Sequence, residues 1–172
     1  MSEPRIGRIL KDFAPGAGNP RNSEGAFLKR KDGTLLFVFS RFVGASDRDH
    51  ATANIAAVRS SDGGETWSEP EDLFTSAGHE AVNIMSVSLM RMRNGDIGLF
   101  YLVRKTFSDM RMILRRSADE GRTWSDFTVC MPRQGYFVVN NDRAVRLSTG
   151  RIVLPAAEHV VTRTADCAIR AR

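Results

Sequence analysis

Short apolar runs alternate with turn residues along most of the chain, and none has the length or period of a long helix. Three segments repeat one pattern: a run of alternating residues, a tight turn ending in glycine, then a second apolar run. The first is Phe27 to Gly33 followed by Leu35 to Phe39. The second is Leu89 to Gly95 followed by Ile97 to Tyr101. The third is Ala144 to Gly150 followed by Ile152 to Leu154. The turn glycines are spaced 62 and then 55 residues apart (33 to 95, then 95 to 150). Asp32-Gly33 and Asn94-Gly95 are strong hairpin pairs, because glycine enters positive φ at low steric cost. The pattern predicts an all-β chain built from repeated antiparallel units.

A second element follows each of the first two hairpins. It reads Ser60-Ser61-Asp62-Gly63-Gly64-Glu65-Thr66-Trp67 in the first copy and Ser117-Ala118-Asp119-Glu120-Gly121-Arg122-Thr123-Trp124 in the second. The copies lie 57 residues apart (60 to 117) and both fit Ser-x-Asp-x-Gly-x-Thr-Trp. The aspartate is suited to accept backbone N–H bonds inside its own turn, and the tryptophan to bury a large apolar surface between sheets.

These two octads resemble the Asp box of the sialidase and BNR-repeat family. The resemblance implies a β-propeller of about six blades, each a four-stranded antiparallel sheet. The octad would join the third and fourth strands of a blade, away from the active site. Blade one is expected over about 22–75, blade two over about 81–132 and an incomplete blade three over about 136–172. The fold expected is thus a partial propeller of about three blades, the N-terminal part of a ring. It would need a partner or further blades to close, because an open ring leaves sheet faces and strand edges uncovered.

Blade geometry implies where chemistry sits. The inner strand of each blade begins at the central channel, and the second strand ends there. Nine residues before Gly33, Gly95 and Gly150 lie Glu24, Ser86 and Asn141. Around them are Arg21, Asn83, Asp142 and Arg143, while the second strands end near Arg41, Arg104 and His159. The resemblance implies an arginine that binds the carboxylate of sialic acid before the inner strand of blade one. The chain has Pro20-Arg21-Asn22 there instead of Arg-Ile-Pro, so Arg21 is the match by position. It also implies an acid/base aspartate in the loop after the second strand. That loop, 43–53, holds Asp47 and Asp49, with Asp49 nearer the next strand. A carboxyl there is placed to protonate a leaving glycosidic oxygen and then deprotonate water. Glu24 is the third candidate carboxylate, or an orienting partner for Arg21. The family nucleophile, a tyrosine activated by a glutamate, is expected on later blades, so these blades alone are expected to be inactive.

The function expected is therefore a sialidase-like glycoside hydrolase acting on terminal sugars. The alternatives are a non-catalytic carbohydrate-binding propeller or enzyme remnant, and a scaffold for protein contacts. Charge sharpens the choice of ligand. The net charge is +5 and 21 of the 25 basic residues are arginine, which suits a carboxylate-bearing sugar through bidentate pairing. Basic residues do not interleave with aromatics as in a nucleic-acid surface, so no nucleic-acid partner is expected. No apolar run has the length of a membrane span, and Met1 to Lys11 lacks the apolar stretch of a secretory signal, which makes a cytoplasmic location the default. Cys130 and Cys167 read as free thiols, and no cofactor or metal site is expected. Asp47-x-Asp49 lacks the other ligands of a calcium loop. Phosphate-loop, zinc-protease and Gly-x-Ser-x-Gly motifs are absent from the sequence.

Overall fold

Three glycine turns set the frame. In the computed structural model, which describes residues 7–131, 133–160 and 170–171, Gly33, Gly95 and Gly150 adopt φ of 88°, 92° and 86°. Each turn closes in the same way: Arg30, Met92 and Leu147 accept the glycine N–H through their carbonyls at 3.1, 3.1 and 2.9 Å. The predicted hairpins therefore form in all three repeats.

The first sheet has the order β1-β2-β3-β4, from β1 (Asn22–Lys29), β2 (Leu35–Phe42), β3 (Ala53–Ser60) and β4 (Glu71–Phe74). A short 3-10 turn, Ala77–His79, leads to the second unit. This comprises β5 (Asn83–Arg91), β6 (Ile97–Thr106), β7 (Asp109–Ser117) and β8 (Thr128–Val129), each antiparallel to its neighbour. The third unit is broken into short pieces: β9 (Tyr136–Val138), β10 (Val145–Arg146), β11 (Ile152–Val153), β12 (Ala157–Val160) and β13 (Arg170–Ala171). β10 pairs with β11 across the hairpin, and β9 pairs with β12 further along. The expected third strand from Thr164 lies largely outside the described residues, as does Cys167; only its end, β13, is seen beside β12. The second and third sheets also touch edge to edge, through one parallel bridge between Met110 and Tyr136. Among the described residues no helix is long and apolar enough to cross a membrane.

The inner strands share a defect. Register slips between Ser23 and Ala26 in β1, and between Met85 and Ser88 in β5, so each strand carries one extra residue against its partner. That residue is left-handed: Glu24 has φ 58° and Ser86 has φ 59°. In the third unit Asp142, at φ 51°, stands at the matching break between β9 and β10. A β-bulge bends its strand and re-aims a side chain. Two bulges at the same depth turn Glu24 and Ser86 out of the regular alternation.

Packing follows the repeat. Leu36, Val38, Ile55 and Ala57 of the first sheet face Ile84, Leu99, Tyr101 and Val103 of the second, all buried. The other face of the second sheet, with Phe100, Leu102, Met112 and Leu114, is covered by Val138, Ile152 and Leu154 of the third. Alternation along β6 is what makes it two-sided: odd residues meet one neighbour, even residues the other.

The two octads form the turns their sequences predict. Asp62 accepts both the backbone N–H and the hydroxyl of Thr66, at 3.0 and 2.5 Å, and the hydroxyl of Ser60 at 2.8 Å. These bonds hold its carboxyl down at about 2. Asp119 repeats the set with Thr123 and Ser117, and its carboxyl is likewise lowered. Trp67 donates Nε1–H to the carbonyl of Gly64 at 2.9 Å. Trp124 packs on the core between the first two sheets. At the fourth position of the box Glu120, at φ 62°, stands where the first copy has Gly63, at φ 76°.

Candidate functional site

The bulged ends of the inner strands open onto one cleft of about 320 Å³. Blade one contributes Glu24 from its bulge and Asp49 and His50 from the loop between β2 and β3. Blade two contributes Met85 and Ser86 from its bulge, Arg104 from the end of β6, and Phe107 and Met110 beyond it. The third unit contributes Tyr136, Val138 and Asn140. Three successive repeats thus meet at one rim.

Glu24 is the most perturbed acid of the cleft. Burial raises its carboxyl above the ordinary value of 4.5, against the pull of the Arg21 guanidinium and of hydrogen bonds from Ser86. Ser86 donates its hydroxyl to Glu24 Oε2 at 3.4 Å, so the two bulge residues address each other across the blade boundary. Ser86 is anchored in turn by its own N–H, which donates to Ser40 Oγ at 3.2 Å.

Arg21 and Asp49 meet directly. Arg21 Nη1 lies 2.5 Å from Asp49 Oδ1 and donates to the carbonyl of Asp47 at 3.1 Å. Its guanidinium sits over the Phe42 ring, 4.5 Å from the centroid. The Asp49 side chain remains 80% exposed, so the pair is solvated and readily opened. Asp47 shares the loop and is tied to Arg21 through its backbone; its side chain does not line the cleft.

Blade two grips the same loop from the other side. Arg104, only 5% exposed, donates to the carbonyl of His50 at 2.5 Å and lies over Phe107. Asn83, its cross-strand partner on β5, donates Nδ2–H to the carbonyl of Ala51. The acid-bearing loop is therefore held by side chains of two blades, at the backbone positions that flank Asp49. This places Asn83 and Arg104 on the loop as well as at the rim, with only Arg104 in the cleft wall.

The remaining candidates stand elsewhere. Arg41 turns along its own sheet and pairs with Asp72 of β4 at 2.9 Å; Asn54 shares that carboxylate at 2.8 Å. Asp142 and Arg143 join blades through their backbones, donating to the carbonyl of Val87 at 2.8 Å and to Ser88 Oγ at 3.0 Å. In this stretch Asn140 reaches the cleft, and Asn141 does not line it. Arg143 lines a shallow depression beside the cleft, next to Asn140 and Val138. His159, on β12, faces Tyr136 across the strand pair, with ring centroids 6.0 Å apart and a buried Nδ1 that has no partner among the described residues.

Tyr136 and Phe107 are the aromatic cleft residues that sequence reasoning missed. They give it two aromatic walls of the kind that pack on the apolar face of a sugar ring. A signal existed for Phe107 in its place, a large ring in the tight turn Phe107-Ser108 between two apolar strands; the ring is 62% exposed, with Arg104 over it.

Part of a propeller with bulged inner strands is the architecture these features define, and comparison with known proteins agrees on the fold. A BNR repeat-like domain model matches residues 13–134, and the chain belongs to that family. Among solved structures it is similar to a Hadza microbial sialidase, Hz136 (TM-score 0.66, 16% identity, 82% of this chain and 33% of that one). It is similar to the intramolecular trans-sialidase of Ruminococcus gnavus (TM-score 0.64, 12% identity, 92% and 60%). It is also similar to an α-L-arabinanase of Penicillium chrysogenum complexed with arabinobiose (TM-score 0.55, 19% identity, 84% and 44%). At these identities the likeness is one of fold. The chain spans about a third to three-fifths of the length of these structures. No curated protein matches by sequence.

Proposed function

We propose that the rim cleft binds a terminal sugar and forms part of the active site of a sialidase-like glycoside hydrolase. The observation that carries this reading is the convergence of Glu24, Asp49 and Arg104, from two blades, in one cleft walled by Tyr136 and Phe107 of blades three and two, with Arg21 paired to Asp49 beside it. Asp49 is the acid/base: exposed and at the mouth, it takes up a proton from solvent once a ligand carboxylate draws Arg21 away, gives that proton to the leaving oxygen and then accepts one from the attacking water. Arg21 and Arg104 supply the positive field for an anionic sugar. Glu24, protonated more readily than an ordinary glutamate, donates to a sugar hydroxyl or serves as a second carboxyl.

Among the described residues no tyrosine hydroxyl is hydrogen-bonded to a glutamate. We therefore expect binding without turnover from the 172-residue chain. A second reading is a non-catalytic carbohydrate-binding propeller, favoured by the direct Arg21–Asp49 pair, which occupies the acid in the free protein. Titration with N-acetylneuraminic acid and with arabinobiose, alongside fluorogenic sialosides and arabinosides, tests both. Saturable binding of sialic acid, weakened about tenfold in Arg21→Ala, is expected. Binding of the neutral sugar alone supports the second reading, and binding of neither refutes both. Turnover that survives Asp49→Asn removes the role assigned to Asp49.

A further inference from the structure

Blade two has a second concavity, on the face of β6 and β7 turned away from the sugar cleft. It is a cavity of about 120 Å³ between that sheet and the Ala77–His79 turn, with room for several waters or a ligand of a few heavy atoms. Val103 and Arg111 stand opposite each other in the ladder, as do Tyr101 and Ile113, so one face of the hairpin carries all four. Val103 and Ile113, both buried, form an apolar wall of the cavity. Lys105 joins them through a bulge: register slips between Arg104 and Thr106, and Lys105 is the extra residue of β6. Arg104 thus opens onto the sugar cleft and Lys105 onto this cavity.

Hydrogen bookkeeping fixes what the cavity offers. Burial pushes the Tyr101 hydroxyl up to about 12, against the pull of Arg115, so it keeps its proton. Its oxygen accepts Arg115 Nε–H at 2.9 Å, and His79 Nε2 lies 2.9 Å away. A guanidinium cannot accept, so among the described residues the phenolic proton goes to His79 Nε2. A neutral imidazole with Nε2 as acceptor carries its own proton on Nδ1. Burial, with Arg115 and Lys105 nearby, holds the ring below its ordinary 6.5 and therefore uncharged at neutral pH. His79 is 8% exposed and lines the cavity, and its Nδ1 has no hydrogen bond among the described residues. Asp109 is the carboxylate in the wall, and Arg111 covers it through Nε at 2.8 Å and Nη2 at 3.2 Å. Lys105 has a loose partner in Glu80, 3.8 Å away and 91% exposed, which a ligand can displace.

We propose that this cavity binds a small aliphatic carboxylate, whose oxygens accept from His79 Nδ1–H and Lys105 Nζ while its alkyl end lies on Val103 and Ile113. A carboxylate is acceptor-only, which matches two donors, and its charge matches the lysine. The site lies on the other face of the hairpin from the proposed sugar cleft and does not depend on that reading.

Titration of the 172-residue chain with sodium propionate at constant ionic strength, followed by proton–nitrogen NMR, tests the proposal. The expected result is a saturable shift of the His79 ring and of the amides of 103–105 and 111–113, with a Kd on the order of millimolar. Lys105→Gln should weaken binding about tenfold through loss of one charge-assisted bond, and it leaves the fold intact because Lys105 is exposed. Propionamide, the uncharged isostere, should bind about tenfold more weakly than propionate. Long-range proton–nitrogen correlations should find the free His79 ring neutral with its proton on Nδ1. The absence of a saturable shift up to about 100 mM propionate overturns the proposal, as do shifts confined to Glu24, Ser86 and Arg104 of the sugar cleft. Propionamide binding as tightly as propionate, an unaltered affinity in Lys105→Gln, or a His79 proton on Nε2 overturns it equally.

Discussion

Glu120 shows how one side chain can offset an unfavourable backbone. It holds a left-handed φ where the first box has glycine, a conformation that costs a non-glycine residue about 1 kcal/mol. Its carboxylate receives two N–H bonds from Arg91 at 2.6 and 2.8 Å and the backbone N–H of Lys31 at 3.1 Å. The second octad is therefore bolted to the hairpin turn of blade one as well as to its own blade. The Arg91 bonds, more than the Lys31 bond, pull the carboxyl from 4.5 down to about 2. A depressed folded value means the contribution is complete above pH 4.5 and is lost as pH falls through about 2. Glu120→Gln should lower stability at pH 7 by about 1–2 kcal/mol and flatten part of the acid decline, as read by urea unfolding between pH 7 and 2.

At the scale of elements, the loop between β2 and β3 depends on its neighbours. Its own sequence, Val43-Gly44-Ala45-Ser46-Asp47, has few large apolar groups to fix it. Order comes from Arg21 on one side and from Asn83 and Arg104 on the other. Asn83→Ala leaves the carbonyl of Ala51 without that bond and should cost about 1–2 kcal/mol. Amide hydrogen exchange should quicken in 47–52 and stay unchanged in β6 and β7; uniform quickening would mean the whole blade had loosened instead. The inner-strand bulge is the other element that sets the site. Glu24→Gly relaxes a left-handed backbone and should raise stability by about 1 kcal/mol while weakening sugar binding. The pH dependence should change as well. The buried carboxyl favours its protonated form, so its contribution is greatest below pH 4.5 and fades as pH rises through the raised value. The glycine variant should lack that fade in an unfolding series from pH 4 to 7.

For the whole molecule, the local signals were legible and the crossings between blades were not. Gly33, Gly95 and Gly150 announce their turns because only a small residue enters that φ cheaply, and Asp62 and Asp119 announce theirs because every bond they make is within four residues. Counting from those glycines reaches the bulge residues Glu24 and Ser86, but lands on Asn141 where the left-handed residue is Asp142, one position nearer its glycine. Asn83 and Arg104 look like ligand-binding residues in sequence; their partners, 32 and 54 residues away, exist only once two blades are side by side. Tyr136 enters the cleft through an edge bridge to Met110 that no repeat arithmetic contains. The recurrent bulge has a wider meaning. Its left-handed residue is an acid in the first blade and a hydroxyl in the second. A lineage can therefore exchange those two side chains, and with them the chemistry of the cleft, while the turns and cores that make the scaffold fold remain untouched.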